Sequence, residues 1–203
     1  MPDRIGLFGG SFDPPHVGHL LALSDALEQL SLNRVQVVPA GIQPLKRVGA
    51  TDAEHRLAMA RLCFGGLPQI EVDPIEIDRS GLSFMVETAE QYVARFPGAE
   101  LFLLVGADAA SALDRWRAPE QLLRLVQLVV LERFDESGSA LAEPWRQWSG
   151  IRPPLRLGTR RIDVSSSEIR ARVASGRSIC GFVPESVASY IASAGLYLSR
   201  NAC

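Results

Sequence analysis

The chain has 203 residues, of which 47% are apolar, 22% charged and 7% aromatic, a composition far from that of disordered segments. A formal charge of −2 argues against a protein held to nucleic acid by bulk charge. Cys63, Cys180 and Cys203 are widely spaced and lack any C-x-x-C pattern, which fits a reducing cytoplasm and gives no metal site.

The first apolar run, Ile5 to Phe8, predicts a buried strand. It is followed by Gly9-Gly10-Ser11-Phe12-Asp13-Pro14-Pro15-His16-Val17-Gly18-His19 and then by a helical pattern from Leu20 to Leu27. Further strands are predicted at Val35–Val38, Ile70–Val72, Leu101–Val105, Leu128–Leu131 and Arg161–Val164. Thr51 to Glu54 has the form of a capping box with Thr51 at N-cap. A third helix is expected from Ser83, through Val86, Ala89, Val93 and Phe96, ended by Pro97-Gly98. Residues 134–154 carry Gly138, Pro144, Trp145, Trp148, Gly150, Pro153 and Pro154 without a sustained period, and are expected to form an irregular excursion. Pro184 to Gly195 predicts a last short helix with Val187, Ile191 and Ala194 inward. No stretch has the charged n-region and apolar h-region of a signal peptide, and no apolar run approaches the roughly 18 residues of a membrane span. Buried runs alternating with helices suit an α/β fold, an open parallel sheet with its site at the C-terminal edge of the strands. Residues 1–203 are expected to form one domain.

The segment from Gly9 to His19 carries the most chemistry. Glycines between a strand and a helix let backbone N–H groups approach a phosphate at a helix N-terminus. His16 and His19 fall on one side of that helix entry, since residues three apart are helical neighbours. Gly18 between them lets a bulky group lie against the backbone. The spacing does not fit a G-x-G-x-x-G dinucleotide fingerprint, which disfavours hydride-transfer chemistry. A second block, Val164 to Arg170, places consecutive serines at a helix start and an arginine one turn in, within reach of the same anion. Six arginines between Arg156 and Arg177 face only Asp163 and Glu168, a local excess of positive charge suited to a small polyanion.

The two blocks together resemble the signatures of the nucleotidylyltransferase superfamily, G-G-x-F-D-P-x-H-x-G-H and I-S-S-T-x-I-R. Within it the chain is most similar to bacterial nicotinate-nucleotide adenylyltransferases, from Ile5 to about Leu198. Further points of resemblance are Gly106-Ala107-Asp108, Trp116 with Pro119, Leu128 to Arg133, and Val183-Pro184 with Tyr197. The resemblance implies a Rossmann-like doubly wound open parallel sheet of nucleotidylyltransferase type. It also implies transfer of AMP from ATP to nicotinate mononucleotide, giving deamido-NAD and pyrophosphate.

Carried over residue by residue, it assigns His16, His19 and Arg170 to catalysis. Gly9, Gly10, Gly106, Asp108 and Ser165, again with Arg170, are assigned to ATP. Lys46, Trp116 and Arg133 are assigned to the acceptor, Trp116 as the platform for the nicotinate ring. Mg2+ is expected to be held mainly by ATP phosphates, with no protein metal ligand. Neither nucleic acid nor membrane is an expected partner. Two departures bear on substrate choice. No histidine precedes Lys46 where the family often has P-P-H-K, and Phe84 and Met85 replace the usual tyrosine and threonine. Another acceptor (nicotinamide mononucleotide or phosphopantetheine) and a non-catalytic nucleotide-binding regulator remain the alternative readings at this level.

Overall fold

A computed structural model describes residues 2–42, 51–133, 143–160 and 162–199. Six parallel strands form one sheet in the order β3-β2-β1-β4-β5-β6. These are β1 (Arg4–Gly10), β2 (Arg34–Pro39), β3 (Ile70–Val72), β4 (Glu100–Gly106), β5 (Gln127–Arg133) and β6 (Leu155–Thr159). The helices are α1 (Val17–Gln29), α2 (Ala53–Phe64), α3 (Met85–Arg95), α4 (Ala107–Ser111), α5 (Pro119–Leu125), α6 (Ser166–Ala174) and α7 (Glu185–Ser193).

Strand alternation divides the core between the two faces of the sheet. Ile5, Leu7, Leu101, Leu103, Val105, Leu128 and Val130 pack on one side with Val86, Ala89 and Tyr92 of α3 and Leu122 and Leu123 of α5. Phe8, Val35, Val37, Phe102, Leu104, Val129 and Leu131 pack on the other, with Leu23 of α1, Met59 and Phe64 of α2, Ile169 of α6 and Val187 of α7. The strand order reverses between β1 and β4, and that switch point opens a crevice at the C-terminal ends of both strands. The described residues contain no helix long and apolar enough to cross a membrane.

Several local expectations are corrected. The sixth strand is Leu155–Thr159, not Arg161–Val164: β5 has its last pairing at Arg133, opposite Thr159, so no ladder remains for the residues beyond. Ile162 to Ser165 instead lead into α6 outside any strand. The helix near Thr51 starts one residue later than expected, with Asp52 at N-cap and no side-chain cap. The third helix has Phe84 at N-cap, and its inward face uses Tyr92, while Val93 is exposed. Ala194 is the exposed C-cap of α7, followed by Gly195 at φ +61°. The expected excursion is partly core. Pro144–Gln147 forms a 3₁₀ turn that buries Trp145 among the α3–α5 residues, and the Gln127 amide donates to the Pro153 carbonyl at 2.8 Å. Residues 134–142 lie outside the described part.

Candidate active site

The crevice between β1 and β4 holds a cavity of about 580 Å3. Gly9 and Gly10 of β1, Leu104, Val105 and Gly106 of β4, Phe84 and Met85 at the start of α3, and Arg115, Trp116 and Arg117 line it. Four of the residues assigned to ATP or the acceptor, Gly9, Gly10, Gly106 and Trp116, therefore share one wall system with the two departing residues, Phe84 and Met85.

Each glycine of the first loop has a physical reason. A Cβ at Gly9 would come within 2.4 Å of the Met85 Cε, and one at Gly10 within 2.9 Å of the Phe12 ring. Phe12 turns back with φ +50°, a left-handed conformation that a bulky residue adopts only where its surroundings compel it. The ring is buried against Phe8 and Phe64. At Gly18 a Cβ would meet the His16 Nδ1 at 3.0 Å, so the bulky group that this glycine admits is the ring of His16 itself.

His16 is the N-cap of α1 and His19 lies in its first turn. Their rings are stacked with centroids 3.7 Å apart. The His16 backbone N–H donates to the His19 Nδ1 at 3.1 Å. An Nδ1 that accepts this bond carries no proton in the neutral ring, so the proton sits on Nε2, the nitrogen able to donate outward. Phe8 and Phe12 hold the His19 ring edge-on, at centroid distances of 5.9 and 5.4 Å.

The second block reaches the same loop. Ser165 caps α6, accepting from the Glu168 N–H at 3.2 Å. Ser166 Oγ donates to the Pro14 carbonyl at 2.8 Å, and Arg170 Nη1 donates to the Asp13 carbonyl at 2.6 Å. The N-termini of α1 and α6 are thus tied to one loop. The arginine-rich stretch does not act as one patch. Arg156 pairs with Glu132 and Glu143, Arg160 with Asp25, and Arg172 donates to the Ser178 carbonyl; among the described arginines of the run, Arg170 turns to the β1–α1 loop.

Other assigned residues stand apart. Asp108 is exposed in the first turn of α4 and is not part of the cavity wall, although Gly106 before it is. Arg133 is the last residue of β5 and is described by its backbone alone. Lys46 lies outside the described residues.

Two groups that shape the site, Arg56 and Glu76, are not among the residues quoted from sequence, and neither is the contact between Asp13 and Tyr197. Arg56 of α2 is 4% exposed, and its guanidinium donates to the carbonyls of Ser11 at 3.0 Å, Gly41 at 3.1 Å and Thr51 at 3.0 Å. Burial lowers its pKa, opposed by the carboxylate of Asp13. Asp13 accepts from the Tyr197 hydroxyl at 2.6 Å and the Thr51 N–H at 3.3 Å, which fixes the loop before His16 to the C-terminal segment. Glu76 is buried in the cavity wall and accepts from the Thr88 hydroxyl at 2.7 Å. Burial holds its carboxyl above the ordinary carboxylate value, against the lowering effect of that hydrogen bond. The one signal available was Arg56 itself, a charge within the inward stripe that includes Met59, Ala60 and Cys63.

Comparison with known proteins gives the family. A cytidylyltransferase-like family model matches residues 7–172. A probable nicotinate-nucleotide adenylyltransferase of Gemmatimonas aurantiaca is 55% identical over 96% of this chain and 92% of its own. One from Albidiferax ferrireducens is 41% identical over 96% and 98%. Among solved structures, a Plasmodium falciparum nicotinic acid mononucleotide adenylyltransferase complexed with NaAD superposes with a TM-score of 0.76, covering 96% of this chain and 97% of its own. At 18% identity that likeness speaks to the fold. Identity of 55% along nearly the whole of both sequences speaks to more: the chain belongs to the nicotinate-nucleotide adenylyltransferase family.

Proposed function

We propose that this protein transfers AMP from ATP to nicotinate mononucleotide, forming deamido-NAD and releasing pyrophosphate. The observation that supports the proposal is the β1–α1 loop at the switch point: it leads from Gly9 and Gly10, in a cavity wall shared with Trp116, to the stacked His16–His19 pair, and Arg170 of α6 is tied to it. The mononucleotide phosphate oxygen attacks the α-phosphorus of ATP as the bond to the β-phosphate oxygen breaks, and no covalent intermediate with the protein is needed. The protein's contribution is alignment and stabilisation of developing negative charge.

His19, with its Nε2 proton directed by the backbone bond at Nδ1, serves as a donor to a phosphate oxygen at the transition state. His16 extends that donor surface. Arg170 and Ser165, on the helix tied to the same loop, take the departing pyrophosphate. Gly9, Gly10 and Gly106 admit the nucleotides to the strand ends, with Asp108 nearest the ATP ribose. Trp116 gives the pyridine ring a flat apolar platform, while Lys46 and Arg133 add positive charge. The magnesium of this reading would come with the triphosphate, held mainly by phosphate and water as that ion prefers. The chemistry it would supply there is positive charge beside the phosphate oxygens of the leaving group. The described cysteines, Cys63 and Cys180, are free thiols, in keeping with the cytoplasmic setting that the proposal assumes.

The test is product identification. With magnesium, ATP and nicotinate mononucleotide, chromatography is expected to show deamido-NAD and pyrophosphate in equal amounts, with neither formed when one substrate is omitted. Pyrophosphate without the dinucleotide would refute the acceptor.

A further inference from the structure

The cavity wall carries two arginines, Arg115 and Arg117, on either side of Trp116. Both are exposed, and among the described residues neither guanidinium is engaged by a carboxylate. Their settings differ. Arg117 has its Cζ 4.6 Å from the centroid of the Phe84 ring, and Phe84 lines the same cavity. A guanidinium stacked on an aromatic face keeps its in-plane N–H groups for a planar anion, and the stack limits the freedom that pairing would cost.

The backbone around Arg117 is equally defined. Trp116 ends the 3₁₀ turn of Leu113–Arg115, Ala118 takes φ +46°, and Pro119 opens α5. A left-handed alanine costs about 1 kcal/mol or more, so the surrounding structure holds this corner in place. The acid in the cavity wall is Glu76, buried and bonded to Thr88. The cavity wall therefore carries two aromatic side chains, Phe84 and Trp116, with a cation stacked on the first, the complement of a flat heterocycle bearing an anionic substituent.

We propose that Arg117 reads the ring carboxylate of the acceptor nucleotide, and so sets the preference for nicotinate over nicotinamide mononucleotide. The inference rests on the adenylyl-transfer reading of this site. A carboxamide of the same shape offers no charge to the guanidinium, so removing the cation penalises the acid selectively.

The experiment is the ratio of kcat/KM for the two mononucleotides in wild type, R117Q, R117K and R115Q. R117Q is expected to lower the acid-to-amide ratio about tenfold or more, mainly through KM for the acid. R117K, which restores charge without the planar fork, is expected to recover part of it. In wild type, added salt should raise KM for the acid more than for the amide. A ratio unmoved by R117Q, or moved by R115Q instead, overturns the assignment. Wild type inactive on both mononucleotides would show that the adenylyl-transfer reading itself is wrong, whereas activity with an R117Q ratio like wild type would remove only the role of Arg117. Unfolding midpoints within a few degrees of wild type confirm that each variant is folded.

Discussion

Arg56 offers a quantitative test of how the site is held together. Its guanidinium satisfies carbonyls of three separate segments: Ser11 in the β1–α1 loop, Gly41 after β2, and Thr51 before α2. R56M keeps much of the aliphatic stem and removes all three bonds. At about 1.5 kcal/mol net for each bond, the low end for a charged donor, the loss is about 4.5 kcal/mol. Relief of the desolvation that lowers the arginine's own pKa returns part of that, leaving about 3 kcal/mol. A loss of this size is a large share of the roughly 5–15 kcal/mol by which domains are stable. For a chain of this size it corresponds to a fall in Tm of roughly 6–12 °C. Urea unfolding measures the free energy and calorimetry the midpoint. R56K, with a point charge in place of the fork, is expected to recover less than half of the loss. An R56M protein within about 1 kcal/mol of wild type would refute the claim that these carbonyls depend on Arg56.

Three further predictions address the site. H19A is expected to fold, with a loss of about 1 kcal/mol from the start of α1 where His16 N–H loses its acceptor, and to lose turnover by about 10²-fold or more; turnover within tenfold of wild type contradicts the donor role. At Gly9 the tight contact is the far end of Met85, so G9A and the double variant G9A/M85A separate packing from nucleotide approach. If the backbone approach matters, KM for ATP stays raised in the double variant; full recovery shows that Gly9 accommodates only Met85. Glu76 has a raised pKa in the folded state, so the folded chain binds its proton more tightly than the unfolded chain does. Its contribution is present at low pH and is lost as pH rises from the ordinary carboxylate value through the raised one. E76Q should flatten that part of the Tm–pH curve, and a curve parallel to wild type would contradict the buried assignment.

Much of the architecture was legible because burial leaves a strong pattern. Ile5–Phe8, Val35–Val38, Leu101–Val105 and Leu128–Leu131 are apolar through both faces, which only a strand covered on two sides requires. The sixth strand is not legible at its true position because Leu155–Thr159 is a weaker alternating run at the sheet edge, while Ile162 and Val164 imitate a strand beyond the end of its partner. Trp145 is not legible as core because glycine and proline punctuation hides one buried aromatic. The two loop motifs were legible because their residues are close in sequence. Arg56 with Ser11, Tyr197 with Asp13 and Glu76 with Thr88 were not, since each pairing depends on where distant segments meet. Arg117 illustrates the same limit: beside Trp116 it is an ordinary surface arginine, and only the fold brings Phe84 beneath it.

The measurement that tests the central claim most directly is magnesium-dependent pyrophosphate release from ATP, with nicotinate mononucleotide, nicotinamide mononucleotide and phosphopantetheine offered separately. The account predicts release with the acid mononucleotide as the preferred acceptor. Release with none of the three would contradict it, leaving a nucleotide-binding fold without the proposed chemistry.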